Sequence, residues 1–365
     1  MGSPSALIPP LVVFFLVSTI YWNAKTLIST PCRGDAAVKI RKLHLNDSDV
    51  DNVVILKERI KWPKINIRPK RLHLDRNLSF LIVVHSGVHN FERRYEMRTV
   101  LSKKIRKQNN FDIVFVTGRP TDRSTQDLLQ AEADVNDDIL QSTVAPLNQY
   151  PTQAEAWISY VYENFRNSTR FILKVDDDVF INEGLVANFL ASRSHSESQK
   201  SIYCYPFKIA ADKRPWRKHY LTEAEFPFRN LGIFCAGLAY TLSADLLPHL
   251  YKNVQRTRFV WLDDWYVTHA LLVDVNPTIY DISPFYFSSE SAREAFSRLR
   301  QVLVGDLPAP WFAHLRPRQR FDRNGQLDFW QRSQLCSEKQ GNPVVVTKES
   351  RQWSDFINPL KLFFS

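Results

Sequence analysis

Short, continuous apolar runs recur along the middle of the chain, each rich in β-branched and aromatic side chains. They cover residues 80–85 (FLIVVH), 111–117 (FDIVFVT) and 170–175 (RFILKV). None sustains the apolar–polar alternation of a half-exposed strand, so each predicts a strand buried on both faces, as in a parallel sheet. Two further strands are predicted at residues 236–242 and 278–282.

Stretches of helical character separate these strands. They are predicted at residues 91–107, 125–133, 152–165, 244–253 and 264–272. The third opens with a capping box, in which Thr152 accepts from the backbone and Glu155 reaches back to it. Strands that alternate with helices in this way predict an α/β domain with a mostly parallel central sheet.

The strand at residues 170–175 runs directly into Asp176, Asp177 and Asp178. Ligands of open α/β sheets bind beyond the carboxyl ends of the strands. Three adjacent carboxylates repel one another, and a hard divalent cation such as Mn²⁺ or Mg²⁺ relieves that repulsion because it prefers oxygen ligands. Such an ion can also bridge the phosphates of a nucleoside diphosphate. The alternative, a solvated acidic turn, fits poorly with the apolar residues 179–181 that follow.

A second group of candidate residues lies at 261–266 (WLDDWY). Asp263 and Asp264 stand between Trp261 and Trp265, which predicts a pocket wall where aromatic faces pack on sugar rings and a carboxylate takes a proton from a hydroxyl. The alternative is an acidic cap on the helix that follows, since carboxylates are favourable at a helix N-terminus. His314, among apolar neighbours, is by itself more typical of a structural histidine.

The N-terminus predicts a membrane anchor. Residues 1–24 carry no charged side chain and residues 6–22 are almost wholly apolar, which is slightly short for a bilayer core of about 30 Å but adequate with the flanking residues. A cleavable signal peptide is the alternative, but its apolar region is usually shorter. We therefore favour a type II signal anchor. The predicted organisation is a cytoplasmic tail at 1–5, an anchor at 6–24, a lumenal stem at 25–77, a catalytic domain at 78–335 and a C-terminal extension at 336–365.

Glycosylation sequons and cysteines agree with a lumenal position for the domain. Asn46, Asn77 and Asn167 each begin an Asn-X-Ser/Thr triplet without proline. Besides Cys32 near the predicted membrane, the chain has three cysteines in its folded part, among which one bridge is expected in an oxidising compartment, with the pairing open.

The charge balance does not indicate nucleic acid as a partner. There are 48 Lys and Arg against 38 Asp and Glu, a net charge of +10, but the basic residues are spread along the chain. The densest run, residues 68–76, includes two leucines and is typical of a solvated linker. No zinc-finger spacing and no basic coiled coil is present in the sequence.

Taken together, these motifs resemble the β1,3-glycosyltransferases of glycosyltransferase family 31, the galactosyltransferase and N-acetylglucosaminyltransferase group. The donor-binding segment of that family is similar to residues 171–182 (FILKVDDDVFIN). The resemblance extends over roughly residues 78–330 and is carried by other segments, at residues 94–99 (RYEMRT), 138–140 (DIL), 218–227, 235–243 (CAGLAYTLS), 262–264 and 314–317.

The resemblance implies a GT-A-type, Rossmann-like nucleotide-sugar transferase domain that uses a UDP-sugar and a divalent metal, Mn²⁺ or Mg²⁺, and inverts the anomeric carbon. Carried over by position, its implied roles fall in four groups. The metal ligands are Asp176, Asp178 and His314. The donor-side residues are Arg94, Arg98, Lys174, Asp176 and Asp177. The general base is Asp264, and the acceptor side includes Trp261, Asp263 and Trp265.

The resemblance also implies a Golgi membrane location with the catalytic domain in the lumen, and a glycan acceptor. Asp263 stands where the family has glutamate and Trp265 where it has valine, which leaves the acceptor and donor sugar open. Transfer of galactose is the leading hypothesis and transfer of N-acetylglucosamine the alternative. A non-catalytic lumenal chaperone or scaffold is the alternative of another class, disfavoured because the aspartates are retained.

Overall fold

A computed structural model describes residues 38–47, 51–59, 61–70, 77–143, 151–289, 294, 297, 298, 300–302, 307–315 and 344–347. The predicted anchor at residues 6–24 lies outside this part of the chain. Within the described part, no helix is both long enough and apolar enough to cross a membrane.

The largest element is a ten-stranded sheet, ordered β13-β1-β10-β8-β9-β6-β3-β4-β5-β2. Its strands are β1 (Val38–His44), β2 (Ile65–Ile67), β3 (Leu78–His85), β4 (Phe111–Thr117), β5 (Ile139–Ser142), β6 (Thr169–Asp176), β8 (Ser201–Ala210), β9 (Asn230–Ser243), β10 (Thr278–Asp281) and β13 (Val344–Thr347). A three-stranded sheet is formed by β11 (Tyr286–Ser289), β12 (Phe312–Leu315) and β7 (Val179–Ile181).

Helices cover both faces of the large sheet. They are α1 (Phe91–Val100), α2 (Lys103–Gln108), α3 (Arg123–Asn136), α4 (Pro151–Phe165), α5 (Glu183–Ala191) and α6 (Leu247–Val254). A further helical segment runs over Asp263–Trp265 and continues as a π-helix over Tyr266–Ala270.

Alternate residues of the central strands enter two separate cores. In β3, Leu81 and Val83 pack with α4 and α6, whereas Phe80, Ile82 and Val84 pack with α1, α3 and α5. This two-sided burial explains why the strand is continuously apolar. The predicted α/β architecture is therefore confirmed for the middle of the chain.

The predicted sheet differs from the observed one in the direction of its outer strands. The four central strands β6, β3, β4 and β5 are parallel to one another. Outside these strands, the pairs β9–β6, β8–β9, β1–β10 and β2–β5 are antiparallel, whereas β10–β8 and β1–β13 are parallel. The sheet is therefore mixed, with five parallel and four antiparallel pairs. The long hairpin of β8 and β9 joins its strands without a crossover helix, which only an antiparallel pair permits.

The stem assignment at residues 25–77 is wrong for two segments. Strand β1 pairs with β10, and β2 extends the opposite edge of the sheet beside β5. Neither strand was predicted, because β1 is mixed in composition and β2 has only three residues, and the pairing of each depends on distant partners. In the predicted C-terminal extension, β13 likewise pairs with β1.

Three local predictions also need correction or completion. The helix predicted at residues 91–107 breaks after Val100, where Ser102 has an extended backbone (φ −59°, ψ 159°) before α2. Helix α4 begins at Pro151, so Thr152 lies in its first turn and is not the cap residue. The expected disulfide joins Cys204 to Cys235, with a Cα–Cα distance of 5.7 Å.

Candidate active site

The aspartate cluster lies where the two sheets meet. Asp176 ends β6, opposite His85 at the end of the parallel strand β3, and β7 of the small sheet begins two residues beyond Asp177. In β12, His314 is the register partner of Val179. The carboxyl ends of two buried strands and a strand from the end of the domain thus meet at one point, as expected for a ligand site of an open α/β sheet.

Asp177 is held entirely by protein groups. Its Oδ2 accepts from Ser86 Oγ (2.8 Å), Gly87 N (3.3 Å) and Asn90 Nδ2 (2.8 Å), and its Oδ1 accepts from Arg93 Nη1 (2.9 Å). These bonds tie the loop after β3 to the end of β6. Asp177 thus has a structural role, and its donor contact stays a prediction from the sequence.

Asp178, the next residue, contacts His314. Its Oδ2 lies 3.2 Å from His314 Nε2 and 3.4 Å from Arg93 Nη1. Burial alone would raise the pKa of Asp178, but His314 and Arg93 outweigh that effect and lower it. A carboxylate oxygen and an imidazole nitrogen suit Mn²⁺ and related divalent ions.

The buried Nδ1 of His314 has no hydrogen-bond partner among the described residues. Within that part of the chain, no three His, Cys, Asp or Glu side chains form a group that could hold a metal ion. The predicted trio is therefore assembled only in part. Asp178 and His314 are in contact and would together offer an oxygen and a nitrogen ligand to a divalent ion, whereas Asp176 is bonded to a cation of the protein.

That cation is Lys174, which lies on the same face of β6 as Asp176 because strand residues two apart point the same way. Its buried Nζ donates to Asp176 Oδ1 and to Gly237 O, both at 2.7 Å. Burial alone would lower the pKa of Lys174, but Asp176 and Asp263 outweigh that effect and raise it. Lys174 thus carries a fixed positive charge between the aspartate cluster and the segment of the predicted base.

Asp263 and Asp264 have opposite pKa shifts. Burial and the charge of Asp263 raise the pKa of Asp264 to about 7. For Asp263, burial is outweighed by Lys174 and His85, which lower its pKa to about 2. The His85 Nδ1 atom lies 3.2 Å from Asp263 Oδ2. Two neighbouring carboxylates with separated pKa values indicate different roles, and a carboxylate that titrates near neutrality suits a general base.

Space for Asp264 depends on Gly237 in β9. A Cβ atom on Gly237 would lie 3.2 Å from Asp264 Oδ2 and 3.4 Å from its Cβ. The Gly237 carbonyl meanwhile accepts from Lys174. Gly237 therefore links the cation to the predicted base, and sequence reasoning had noted this glycine only as part of a motif.

Arg94 and Arg98 form hydrogen bonds and ion pairs inside the protein. Arg94 is fully buried and donates to Glu132 through Nε and Nη2, to Ser86 Oγ and to two backbone carbonyls of the following loop. Arg98, one turn further along α1, pairs with Glu132 and with both carboxylate oxygens of Asp138. Both arginines thus use their donors inside the protein, and their nucleotide contacts stay a prediction from the sequence.

The two tryptophans of the base segment have separate roles. Trp265 is buried, donates from Nε1 to Leu231 O (2.6 Å) and packs edge-on against Phe226. It belongs to the core and is not available as the predicted acceptor wall. Trp261 is partly exposed and lies parallel to His219, with ring centroids 6.0 Å apart.

Sequence reasoning missed Arg93 and His85. Arg93 contacts both Asp177 and Asp178, and His85 reaches Asp263, so each joins segments that are distant in sequence. The position of His85 at the end of a predicted buried strand was the available signal, since side chains there face the ligand edge. No local signal distinguished Arg93 from its neighbour Arg94.

The chain is similar to known glycosyltransferases. The chain is 33% identical to the UDP-GalNAc:beta-1,3-N-acetylgalactosaminyltransferase 1 of Sus scrofa over 116 residues, which are 31% of this chain and 34% of that protein. It is 22% identical to the Beta-1,3-galactosyltransferase 1 of Mus musculus over 202 residues, 53% of this chain and 60% of that protein. The matches thus span from about a third to three fifths of these relatives.

Among solved structures, a glycosyltransferase involved in the glycosylation of the major capsid of PBCV-1 aligns over 70% of this chain and 99% of its own. Its TM-score is 0.33 and its identity 11%, too low to bear on the fold. The profile of the galactosyltransferase family matches residues 92–282, more than half of the chain. This region contains the aspartate turn, Gly237 and the base segment, and the chain therefore belongs to the galactosyltransferase family.

Proposed function

We propose that this protein is an inverting, metal-dependent β1,3-hexosyltransferase that transfers galactose from UDP-galactose to a glycan acceptor of a glycoprotein or glycolipid. The observation that carries the proposal is the arrangement around Lys174, which separates the Asp178–His314 pair from an Asp264 whose pKa is about 7. On one side, Asp178 and His314 offer ligand atoms for a cation that would bind the diphosphate. On the other side, Asp264 offers a base for an acceptor hydroxyl.

On this proposal, Asp264 removes the proton of the attacking acceptor hydroxyl. The acceptor oxygen bonds to the anomeric carbon as the bond from that carbon to the diphosphate oxygen breaks, and the diphosphate leaves with the electron pair. A single displacement of this kind inverts the anomeric centre. Lys174 holds Asp176 in place, and Gly237 keeps the space in which Asp264 works. Asp178 and His314 would hold the divalent ion, which neutralises charge on the leaving diphosphate when bound.

The donor sugar is part of the proposal. Galactose is favoured by the family and by the Beta-1,3-galactosyltransferase 1 of Mus musculus. Transfer of an N-acetylated sugar is the second candidate: N-acetylglucosamine on the motif resemblance, and N-acetylgalactosamine because the relative in Sus scrofa is named for that donor. The proposed location is the Golgi membrane, with residues 6–24 as a single-pass type II anchor and the catalytic domain in the lumen.

Glycosylation of the protein itself is also proposed. Asn46, Asn77 and Asn167 are all exposed, which is the condition for modification of a folded chain.

A donor screen tests the proposal. The protein is incubated with Mn²⁺ and UDP-galactose, UDP-N-acetylglucosamine, UDP-N-acetylgalactosamine or UDP-glucose, and released UDP is measured with and without glycan acceptors. We expect turnover with UDP-galactose that is lost on chelation and restored by Mn²⁺. Turnover with a different donor alone would contradict the galactose assignment. If the protein neither bound UDP in a Mn²⁺-dependent way nor released it from any donor, the scaffold alternative would stand.

A further inference from the structure

Residues 211–229, which connect β8 and β9 and are called the β8–β9 loop, carry an exposed tryptophan. Trp216 is 78% exposed and has no ring contact with the described residues. The loop closes on itself through backbone bonds from Leu221 N to Asp212 O and from Ala211 N to Arg229 O, both 2.8 Å. A large aromatic side chain held in water by a bonded loop is a candidate for ligand contact.

The β8–β9 loop packs against the segment that carries the predicted base. Phe226 meets the ring of Trp265 edge-on at 5.2 Å, and Lys213 Nζ bonds the Phe226 carbonyl. The His219 ring lies parallel to Trp261 at 6.0 Å. Because Trp261 and Trp265 flank the aspartate pair in sequence, these contacts fix the loop on the acceptor side of the site.

The exposed part of this loop is basic. Residues 212–219 contain four Lys and Arg side chains and one acidic side chain. That acidic residue, Asp212, is bonded to Arg214 and lies 3.4 Å from Arg217. Lys218 is exposed and has no hydrogen bond or ion pair with the described part of the chain. Lys213 lies 3.5 Å from Glu223, so the unbalanced positive charge beside Trp216 is that of Lys218.

An aromatic face and neighbouring cations match one ligand chemistry well. The apolar face of a sugar ring packs on tryptophan, while ammonium and guanidinium groups bind carboxylate or sulfate oxygens. We propose that the β8–β9 loop is the acceptor subsite and that it selects an oligosaccharide carrying a carboxylate or sulfate group, with Trp216 beneath a sugar ring and Lys218 beside the anion. The assignment as an acceptor subsite rests on the proposed function, whereas the binding of an anionic oligosaccharide does not depend on it.

An anionic membrane surface also attracts aromatic and basic side chains. The oligosaccharide is favoured because the loop packs against the segment that carries the predicted base. A loop that only contacted a membrane would not need this packing.

The test is a binding titration of the whole protein with three oligosaccharides that share one neutral core. One is neutral, one carries a terminal carboxylate and one a sulfate. We expect the anionic ligands to bind at least about tenfold more tightly at low salt, with the difference shrinking as salt screens the pairing. The comparison of the two anionic ligands shows which group the loop prefers.

Two variants with matched controls locate the binding. Trp216→Ala should lower the affinity for all three oligosaccharides by about tenfold or more, because the tryptophan stacks on the neutral core that they share. Lys218→Glu should remove the preference for the anionic ligands while leaving the neutral one unchanged. Tyr95→Ala, another exposed aromatic, and Lys104→Glu, an exposed lysine of α2, should alter neither property.

Equal affinity for neutral and anionic ligands would overturn the proposal, as would binding that neither loop variant changes. A third result would also overturn it: both loop variants lose binding to vesicles that contain anionic lipid but keep their binding to the oligosaccharides. Because this readout needs no sugar transfer, a protein that binds the anionic ligands but turns over no UDP-sugar would contradict only the proposed function.

Discussion

His314 Nε2 lies 3.2 Å from Asp178 Oδ2, although the two residues are 136 positions apart in the sequence. The pairing of β12 with β7 produces this contact, because it aligns His314 with Val179, the residue after Asp178. The small sheet therefore brings an imidazole nitrogen to a carboxylate at the end of the large sheet.

Removing either member of this pair should weaken the binding of UDP in the presence of Mn²⁺. For Asp178→Asn and for His314→Ala we expect a loss of at least about 10- to 100-fold, the range seen when even an outer partner of a metal ligand is removed. Titration with UDP at fixed Mn²⁺, and with Mn²⁺ omitted, measures this effect. The exposed His195 provides the control substitution His195→Ala, which should bind normally. Unchanged affinity in both site variants would rule out this pair as the metal site.

Asp264→Asn should separate binding from chemistry. The amide keeps the acceptor for the Trp265 backbone N–H, now bonded to Asp264 Oδ1 at 2.9 Å, but cannot take a proton from the acceptor hydroxyl. We expect UDP affinity to stay within about twofold of the original and the transfer rate to fall by roughly 10²- to 10⁴-fold. Single-turnover transfer and UDP titration on the same preparation check this. A parallel loss of both properties would show that Asp264 belongs to the donor site.

The pH dependence of transfer should report Asp264. Its pKa is raised to about 7 by burial first and by Asp263 second, and it must be ionised to act as a base. The value of kcat/KM is therefore expected to rise with pH through about 7. In Asp263→Asn one nearby negative charge is removed, while Lys174 and Asp176 remain, so the pKa of Asp264 falls and the rise moves to lower pH.

The control for that shift is Asp134→Asn, which removes an exposed carboxylate of α3. Its profile should match the original protein. A rise at the same pH in Asp263→Asn would mean that Asp263 does not influence the titrating group.

Local patterns revealed the parts of the fold and site that depend on neighbours in sequence. The buried strands at residues 80–85 and 111–117 were found because two-sided burial leaves a continuous apolar run. The pairing of Lys174 with Asp176 follows from the same two-residue period. What local patterns could not distinguish was Asp177 from Asp178, since both are aspartates in one turn and only the tertiary contacts separate them.

Contacts between distant segments account for most of the remaining errors. Arg94 and Glu132 meet because α1 and α3 pack on the same face of the sheet, and no local pattern specifies that meeting. The three-residue strand β2 is too short to show a period, and its place beside β5 is a property of the folded sheet. Trp265 was expected at the acceptor, yet the hydrogen bond of its indole to Leu231 places it in the core.

Gly237→Ala should impair transfer more than donor binding. The added methyl would lie 3.2 Å from Asp264 Oδ2, so the carboxylate or β9 must shift by a few tenths of an ångström. Because small displacements of reacting groups can cost up to about 100-fold in rate, we expect kcat to fall by about tenfold or more while UDP affinity changes little. The matched control is Gly184→Ala, where the nearest atom to the new Cβ is 3.9 Å away. Equal kinetics in the two variants would show that β9 adjusts without moving the base.

Arg94→Met should unfold the protein more easily without changing the donor site. The guanidinium is fully buried and bonded to Glu132, and removing one member of such a pair costs about 3–5 kcal/mol because the other charge stays buried. The matched control is Arg123→Met, because Arg123 and Asp127 are 94% and 70% exposed and 3.8 Å apart. That pair should contribute less than about 0.5 kcal/mol. Denaturant unfolding measures both free energies. UDP titration of folded Arg94→Met then distinguishes the structural role of Arg94 from a role in donor binding. Normal affinity supports the structural role, whereas a specific loss of UDP binding would support the nucleotide contact predicted from the sequence.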